Sequence, residues 1–168
     1  IYDMWFSKET ANRMARAVLR CFPILLVAMF LPKPFRLLPP ASLMHFILFL
    51  FTLMMGLGVT VAFCMMIYIM AFFTISPRGL CMLFTSITEF FAGAIIPLPF
   101  FPEKIRYAME LLPFASMQNV ALRIYSGNMS SVEMTRAIFL QAFWLITLIV
   151  GGRLLCNVAE QRVTIQGG

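Results

Sequence analysis

The chain has 168 residues, of which 61% are hydrophobic and only 12% are charged. Globular domains carry about twice that share of charged residues, so this composition excludes an ordinary water-soluble fold and indicates an all-α integral membrane protein. The basic residues behind the net charge of +6 flank apolar runs. This placement favours membrane lipids with anionic head groups as partners, and it argues against nucleic acid.

The first element in chain order is an amphipathic stretch over residues 2–16, which we interpret as a helix lying at the membrane interface. Trp5 is typical of such an interface. Arg13, Arg16 and Arg20 are spaced at i, i+3 and i+7, so they share one helix face. Two interpretations of this basic face stay open. It binds phospholipid head groups, or it contacts a partner protein.

Four apolar runs approach the length that a membrane crossing requires, which is about 20 residues of helix. The second run is long for a perpendicular crossing, so a tilted helix fits it best. The fourth begins at a capping box, because Ser130 and Glu133 have the spacing at which each side chain bonds the backbone of the other. We therefore predict spanning helices over residues 17–31, 43–75, 80–98 and 131–160.

Prolines and glycines mark the connections between these runs. Leu31–Pro40 is proline-rich and cannot be helical throughout. Ser76–Gly79 is predicted to be a tight turn. In residues 99–128, Pro102 and Pro113 predict the starts of two short helices, and a closing Gly127 predicts the end of the second.

Residues 99–128 are too polar for a clean span and too apolar for a solvated loop. Arg106 and Glu110 are spaced to form an ion pair on one face of the first short helix. Two short helices between two spans are typical of a re-entrant hairpin, which dips into the membrane and returns. Such a backbone requires protein or water around it.

Glu89 is the sharpest candidate for a functional residue, because it lies inside a predicted span. A carboxylate there costs about 2.5 kcal/mol or more, and it either faces a path or gate or pairs with a neighbouring polar group. Gln118, Asn119 and Arg123 in the second short helix either line a path, or they cap helix ends or meet solvent. Gln141 in the last span is expected to form a hydrogen bond across helices.

The sequence lacks the patterns of a catalytic or metal site. Its four cysteines lie in or at the ends of apolar runs without metal-ligand spacing, and His45 has no partner for metal binding near it in the sequence. A phosphate-binding loop of the form G-x-x-x-x-G-K-[ST] is absent. We therefore predict no enzymatic activity, no metal and no cofactor in this chain.

Residues 90–127 carry an ordered series of proline and glycine motifs. The series resembles the permease subunits of bacterial ABC transporters of the type-2 exporter class. Gln141 and Trp144 in the last span, and a tail ending in glycine, also fit that pattern, whereas Pro99 departs from it and stiffens the turn. In this sequence the motifs are Gly93, Ile96-Pro97-Leu98, Phe100-Phe101-Pro102, Leu112-Pro113-Phe114 and Ile124-Tyr125-Ser126-Gly127.

The resemblance implies a multi-pass permease of the bacterial plasma membrane, with a cytoplasmic C-terminus and an external hairpin. A separate ATPase subunit would bind ATP and Mg, and a second permease chain would complete the path as a homodimer or heterodimer. About six spans are implied, so the four predicted here would be the last four. Arg13, Arg16 and Arg20 become candidate ATPase contacts. The candidate path or gate residues are Glu89, Gly93, Pro97, Gln118, Asn119, Arg123 and Gln141.

Two other functions stay open. An ion- or proton-coupled carrier would use Glu89 as its titrating group, and its transport would follow the ion gradient without an ATPase. A non-transporting membrane scaffold would hold a partner through the face of Arg13, Arg16 and Arg20. In that case Glu89→Gln would leave function intact.

Overall fold

The computed structural model of the protein describes residues 1–32, 39–40, 42–74 and 76–163, and this part of the chain is entirely helical outside its turns. The all-α fold class is therefore confirmed for the described residues. Most of the proline-rich connection after Leu31, and the glycine-ended tail, lie outside them. The helices are α1 (Tyr2–Phe30), α2 (Leu43–Ala71), α3 (Pro77–Phe91), α4 (Glu103–Leu111), α5 (Ala115–Tyr125) and α6 (Ser131–Val163), with a short 3-10 turn at Leu98–Phe100.

Two of the described helices are long and apolar enough to cross a membrane. They are Leu43–Ala71, with 29 residues, and Ser131–Gln161, with 31 residues, and their most apolar 18-residue windows have mean hydropathies of 2.4 and 1.9. Only 28% and 17% of their most apolar windows are buried inside the protein. This exposure favours lipid around them, because the core helix of a soluble protein is mostly buried.

α2 and α6 lie side by side and run in the same direction. Three contacts fix their register, and the residue numbers rise together along both helices. The pairs are Thr52 with Gln141, Gly58 with Leu145, and Met66 with Gly151. Both helices therefore begin at one end of the bundle and finish at the other.

α1 differs from the prediction, because it is one continuous helix from Tyr2 to Phe30. The expected boundary between an interfacial helix over residues 2–16 and a span over residues 17–31 does not exist. No proline or glycine separates the two stretches, and the sequence between them contains good helix formers. Pro23 lies within the helix without ending it.

α1 runs antiparallel to both α2 and α6. Tyr2 packs in a buried cluster with Met65 and Ile69, near the end of α2, whereas Arg20 lines a cavity with Leu57 at the middle of α2. Beyond this packed half, the apolar side chains of α1 are exposed, which leaves the predicted crossing by residues 17–31 a prediction.

α3 begins earlier and ends earlier than predicted. Ser76–Gly79 is not a tight turn, because Ser76 precedes the helix and Pro77 occupies its first position, where proline is favoured. The helix ends at Phe91, and Gly93 then adopts a φ of +81° that favours glycine. With 15 residues, α3 is about 22 Å long, which is shorter than the hydrocarbon core of a bilayer.

α4 and α5 form a helical hairpin (hereafter the hairpin) that packs on α2 and α6. Along α4, Tyr107 contacts Arg136, and the carbonyl oxygen of Leu111 accepts a 2.9 Å hydrogen bond from Trp144 Nε1. α4 therefore follows α6 in the same direction, from its start toward its middle.

α5 returns to the end from which α4 came. Its beginning lies at Phe63 of α2, because the rings of Phe114 and Phe63 are 5.3 Å apart. Its end lies at Phe49, where the ring of Tyr125 is 5.1 Å away. The hairpin therefore enters beside the starts of α2 and α6, turns near Leu112, and leaves on the same side.

The local signals in this region are confirmed. Pro102 directly precedes α4, and Pro113 lies in the turn before α5. Gly127 follows α5 with a φ of +70°. Ser130 and Glu133 form the expected capping box, with a 3.0 Å bond from the Ser130 N–H to Glu133 and a 3.3 Å bond from the Glu133 N–H to Ser130 Oγ.

Close approach between α2 and α5 depends on Gly56. A Cβ placed there would overlap the backbone carbonyl oxygen of Met117 and lie 3.1 Å from that of Ser116. Gly58, half a turn further, differs because the nearest atom to its virtual Cβ is a side-chain methyl, Leu145 Cδ1 at 2.9 Å. The helix backbone at Met117 cannot move aside locally, whereas the side chain of Leu145 can.

We predict that Gly56→Ala destabilises the protein by about 2 kcal/mol, because overpacking against backbone forces α2 and α5 apart. The matched control Gly58→Ala should change stability by less than about 1 kcal/mol, because Leu145 can rotate and alanine favours the helix. Thermal unfolding in mild detergent, followed by tryptophan fluorescence, measures both. Equal stability of the two variants would contradict the backbone contact at Gly56.

Candidate functional site

A cavity of about 260 Å³, here called the polar groove, lies between α1, α2 and α3. Each of the three helices contributes polar side chains to an otherwise apolar wall. Its polar residues are Arg13 from α1, Thr60, Cys64 and Tyr68 from α2, and Cys81, Thr85, Thr88 and Glu89 from α3. The groove therefore brings together polar side chains from three helices.

Glu89 lies on this groove with an exposed side chain. Among the described residues, no cation forms an ion pair with it, whereas Glu9 and Glu110 both have arginine partners. The interpretation that Glu89 pairs with a neighbouring polar group is therefore not supported by an ion pair among the described residues. The other interpretation, a carboxylate that faces the groove, fits the geometry.

Threonine hydroxyls give the groove further polar character. The hydroxyls of Thr60, Thr85 and Thr88 each donate to the carbonyl four residues back, at 2.9, 2.8 and 2.7 Å. Their oxygen lone pairs remain available to accept hydrogen bonds. The sequence prediction missed these residues. The signal was the spacing of Cys81, Thr85 and Thr88 at i, i+4 and i+7, which places them on one helix face.

A second cavity of about 410 Å³ adjoins the polar groove between α1 and α2. Four charged residues of α1, here called the charged face, line it: Glu9, Arg13, Arg16 and Arg20. The predicted common face of the three arginines is confirmed by this shared lining. Leu57 and Thr60 from the middle of α2 line the same cavity, together with Tyr68 near its end. The charged face therefore lies beside the second half of a helix that is long enough to span a membrane.

The three arginines differ in how they are held. Arg13 Nε donates to Glu9 at 2.7 Å, and its side chain is 28% exposed. Arg16 lies 3.9 Å from the same carboxylate and is 60% exposed. Arg13 is thus turned into the protein, so that Arg16 and Arg20 are the members of the charged face open to a partner.

Asn119 and Arg123 lie elsewhere, in a cavity of about 200 Å³ between the hairpin and the start of α6, here called the arginine cavity. Glu110 accepts a 3.0 Å bond from Arg123 and lies 3.9 Å from Arg106, which confirms the predicted pair of Arg106 and Glu110. Gln118 is exposed and lines neither this cavity nor the polar groove.

Gln141 is fully buried where three helices meet. Its Nε2 donates to the carbonyl oxygen of Thr52 on α2 at 2.9 Å and to that of Ser116 on α5 at 2.7 Å. The predicted bond across helices is therefore confirmed, and it joins three helices rather than two. Its Oε1 is buried without a partner among the described residues.

Gly93 and Pro97 belong to the connection between α3 and α4. A Cβ on Gly93 would lie 3.1 Å from Leu98 Cγ, and Leu98 is buried against Met109 and Ala115. These two candidate residues therefore shape a turn that is anchored on the hairpin. They lie outside the linings of the polar groove and the arginine cavity.

We predict that Gln141→Glu destabilises the protein by about 3 kcal/mol, because a buried carboxylate would face two carbonyl oxygens. Gln141→Met, which keeps the length of the side chain, should cost only about 1 kcal/mol for the lost hydrogen bonds. Lowering the pH should reduce the difference in stability between the two variants, because the protonated carboxyl of the glutamate variant can donate a hydrogen bond to one of the carbonyl oxygens. Thermal unfolding at pH 5 and pH 8 measures it, and equal losses in both variants would contradict the bridging role.

Comparisons of the chain with protein-family models, with curated proteins and with solved structures give no match.

Proposed function

We propose that the chain is the membrane-spanning permease subunit of a type-2 ABC exporter in a bacterial plasma membrane. It would form part of a translocation path, while a separate ATPase subunit binds Mg and ATP. The observation that carries the proposal is the charge that lies beside an apolar helix long enough to cross a membrane. The charged face and Glu89 lie on cavities whose α2 lining extends from Leu57 or Thr60, at the middle of the helix, to Tyr68 near its end.

Charges beside a helix that is long enough to cross a membrane require an explanation. An arginine at the centre of a spanning helix costs roughly 2.5–3.5 kcal/mol on insertion scales, so such residues usually face a bundle interior or water. Arg16 and Arg20 are exposed on this chain alone. A second permease chain, or a water-filled path between two chains, would cover them. This supports a homodimer or heterodimer whose path runs along the polar groove.

The helix directions fit a chain that crosses four times. α2 and α6 run one way, and α1 runs the other way beside them. α3 follows α2 after a short connection and would cross together with the turn that contains Gly93 and Pro97. Because the start of α1 and the ends of α2 and α6 lie together, this end would be cytoplasmic and would face the ATPase.

The hairpin supports the same proposal. It enters and leaves at one end of α6, which is the geometry of an external re-entrant segment. The turn between α4 and α5 is covered by protein, since Pro113 is buried and the carbonyl oxygen of Leu111 accepts a hydrogen bond from Trp144. Such cover is the condition under which irregular backbone survives inside a membrane.

An ion- or proton-coupled carrier is the second candidate function. The observation that favours it is Glu89, which faces the polar groove without an ion-pair partner among the described residues. A carboxylate in such a place can bind and release a proton or a cation. In this alternative, Arg13 on the opposite side of the groove would tune the carboxylate.

We predict that the protein, purified from its own membranes in mild detergent, retains a stoichiometric ATPase subunit with a phosphate-binding loop. Export by the reconstituted complex should require ATP and should survive an ionophore that removes the proton gradient. Glu89→Gln should lower export several-fold and leave the ATPase bound, whereas the control Glu103→Gln, exposed on α4, should change neither.

Two other results would contradict the proposal. A preparation that holds only this chain, with transport that follows an ion gradient and stops in Glu89→Gln, would establish the carrier instead. If the protein binds a partner through Arg16 and Arg20, transports nothing, and is indifferent to Glu89→Gln, it is a scaffold.

A further inference from the structure

The arginine cavity holds a concentration of positive charge that lies away from the path proposed along the polar groove. Three helices each contribute one arginine to its lining: Arg106 from α4, Arg123 from α5 and Arg136 from α6. Tyr107 and Asn119 add a hydroxyl and an amide. Because these residues come from separate segments of the chain, folding of the hairpin onto α6 creates the cavity.

The carboxylates in the cavity do not balance these arginines. Glu110 serves both Arg123, at 3.0 Å, and Arg106, at 3.9 Å. The carboxylate of Glu133 accepts the Ser130 N–H at 3.0 Å as part of the capping box of α6. The cavity therefore contains two carboxylates and three guanidinium groups, and both carboxylates already have hydrogen-bond partners.

Of the three arginines in the cavity, Arg136 is the one without a carboxylate partner among the described residues. It donates to the hydroxyl of Tyr107 and lies over the ring of that residue, with its central carbon 4.9 Å from the ring centroid. Among the described residues, no carboxylate lies within ion-pair distance of it. Stacking on Tyr107 holds the guanidinium in place, so that an anion meets a positioned donor.

We propose that the arginine cavity binds the phosphate of an anionic phospholipid. A guanidinium matches phosphate because its planar fork presents parallel N–H donors to two phosphate oxygens. Arg136 would supply that fork, and the Asn119 amide on the opposite wall would donate to a third oxygen. The arginines paired with Glu110 would add positive potential without having to leave their partner.

The surroundings of Arg136 favour a lipid over a soluble anion. It also borders a shallow apolar hollow with Val132 and Phe139, which are 79% and 71% exposed. Phe143 and Ile146 continue this exposed apolar face along α6. A phosphate at Arg136 would therefore have its acyl chains along an apolar helix face. The inference rests on α6 lying in a membrane and not on transport.

The test measures lipid binding to the purified full-length protein in mild detergent, by native mass spectrometry with graded phosphatidylglycerol. Arg136→Gln should weaken the tightest phosphatidylglycerol site by about fivefold or more, since a charge-assisted pair of bonds is lost. Arg136→Lys should keep most of the affinity. Lys104→Gln is the matched control, because it removes one exposed charge from α4 outside the cavity and should bind like the unaltered protein.

A second variant protects the test against misfolding. Asn119→Asp preserves side-chain shape but places a carboxylate in the cavity, so it should also weaken phosphatidylglycerol binding. The proposal is overturned if both cavity variants bind phosphatidylglycerol like the unaltered protein. It is equally overturned if zwitterionic phosphatidylcholine binds this site as tightly.

Inorganic phosphate distinguishes a site for a lipid phosphate from a site for a soluble anion. If millimolar phosphate binds in an Arg136-dependent manner and displaces phosphatidylglycerol, the cavity is a soluble-anion site and the lipid proposal fails. The result is independent of the ATPase. Loss of the partner subunit would leave lipid binding unchanged, and loss of lipid binding in Arg136→Gln would leave the partner subunit bound.

Discussion

The side-chain amide of Gln141 is the interaction on which the arrangement of the other helices depends. In lipid, apolar surface gains little by leaving its surroundings, so helices associate through close packing and hydrogen bonds. Gln141 supplies two such bonds, to the carbonyl oxygens of Thr52 and Ser116. One side chain thereby fixes α2, α5 and α6 at a single point.

Both proposed sites depend on this point. It lies beside Gly56, where the missing side chain lets the α5 backbone approach α2. Once α5 is docked there, Phe114 meets Phe63 of the polar groove at 5.3 Å, and Arg123 comes to the start of α6. A shift of the hairpin would therefore alter the polar groove and the arginine cavity together.

Signals that act within a few residues could be predicted from the sequence. The capping box at Ser130, the helix starts near Pro102 and Pro113, and the end at Gly127 were all correct, because each depends on local backbone geometry. The boundary near Arg16 was wrong, because a change from polar to apolar side chains does not interrupt a helix. Polarity influences where a helix lies, whereas its ends depend on local backbone signals such as the capping box at Ser130 and the positive φ of Gly127.

The composition of the site could be predicted only in part, because its partners are distant in the sequence. Glu89 could be predicted because it is a lone charge in an apolar run. The threonines that accompany it on α3 carry no charge and were not predicted. Arg123 was identified, whereas its convergence with Arg136 required the hairpin to fold onto α6. The docking of helices, which determines these neighbours, leaves no pattern within any single helix.

The carboxylates of the described residues differ in whether an arginine or a helix cap accompanies them. Glu9 and Glu110 have arginine partners, and Glu133 caps a helix, whereas Glu89 faces the polar groove without such a partner. An uncompensated carboxylate at membrane depth is tolerated where water, a cation or another chain reaches it. Arg16 and Arg20 are exposed beside the same groove and carry the opposite charge. In the permease that we propose, a second copy of the chain would bring both signs of charge to a shared path, where the exposed charges that are costly for one chain would form a hydrated lining for two.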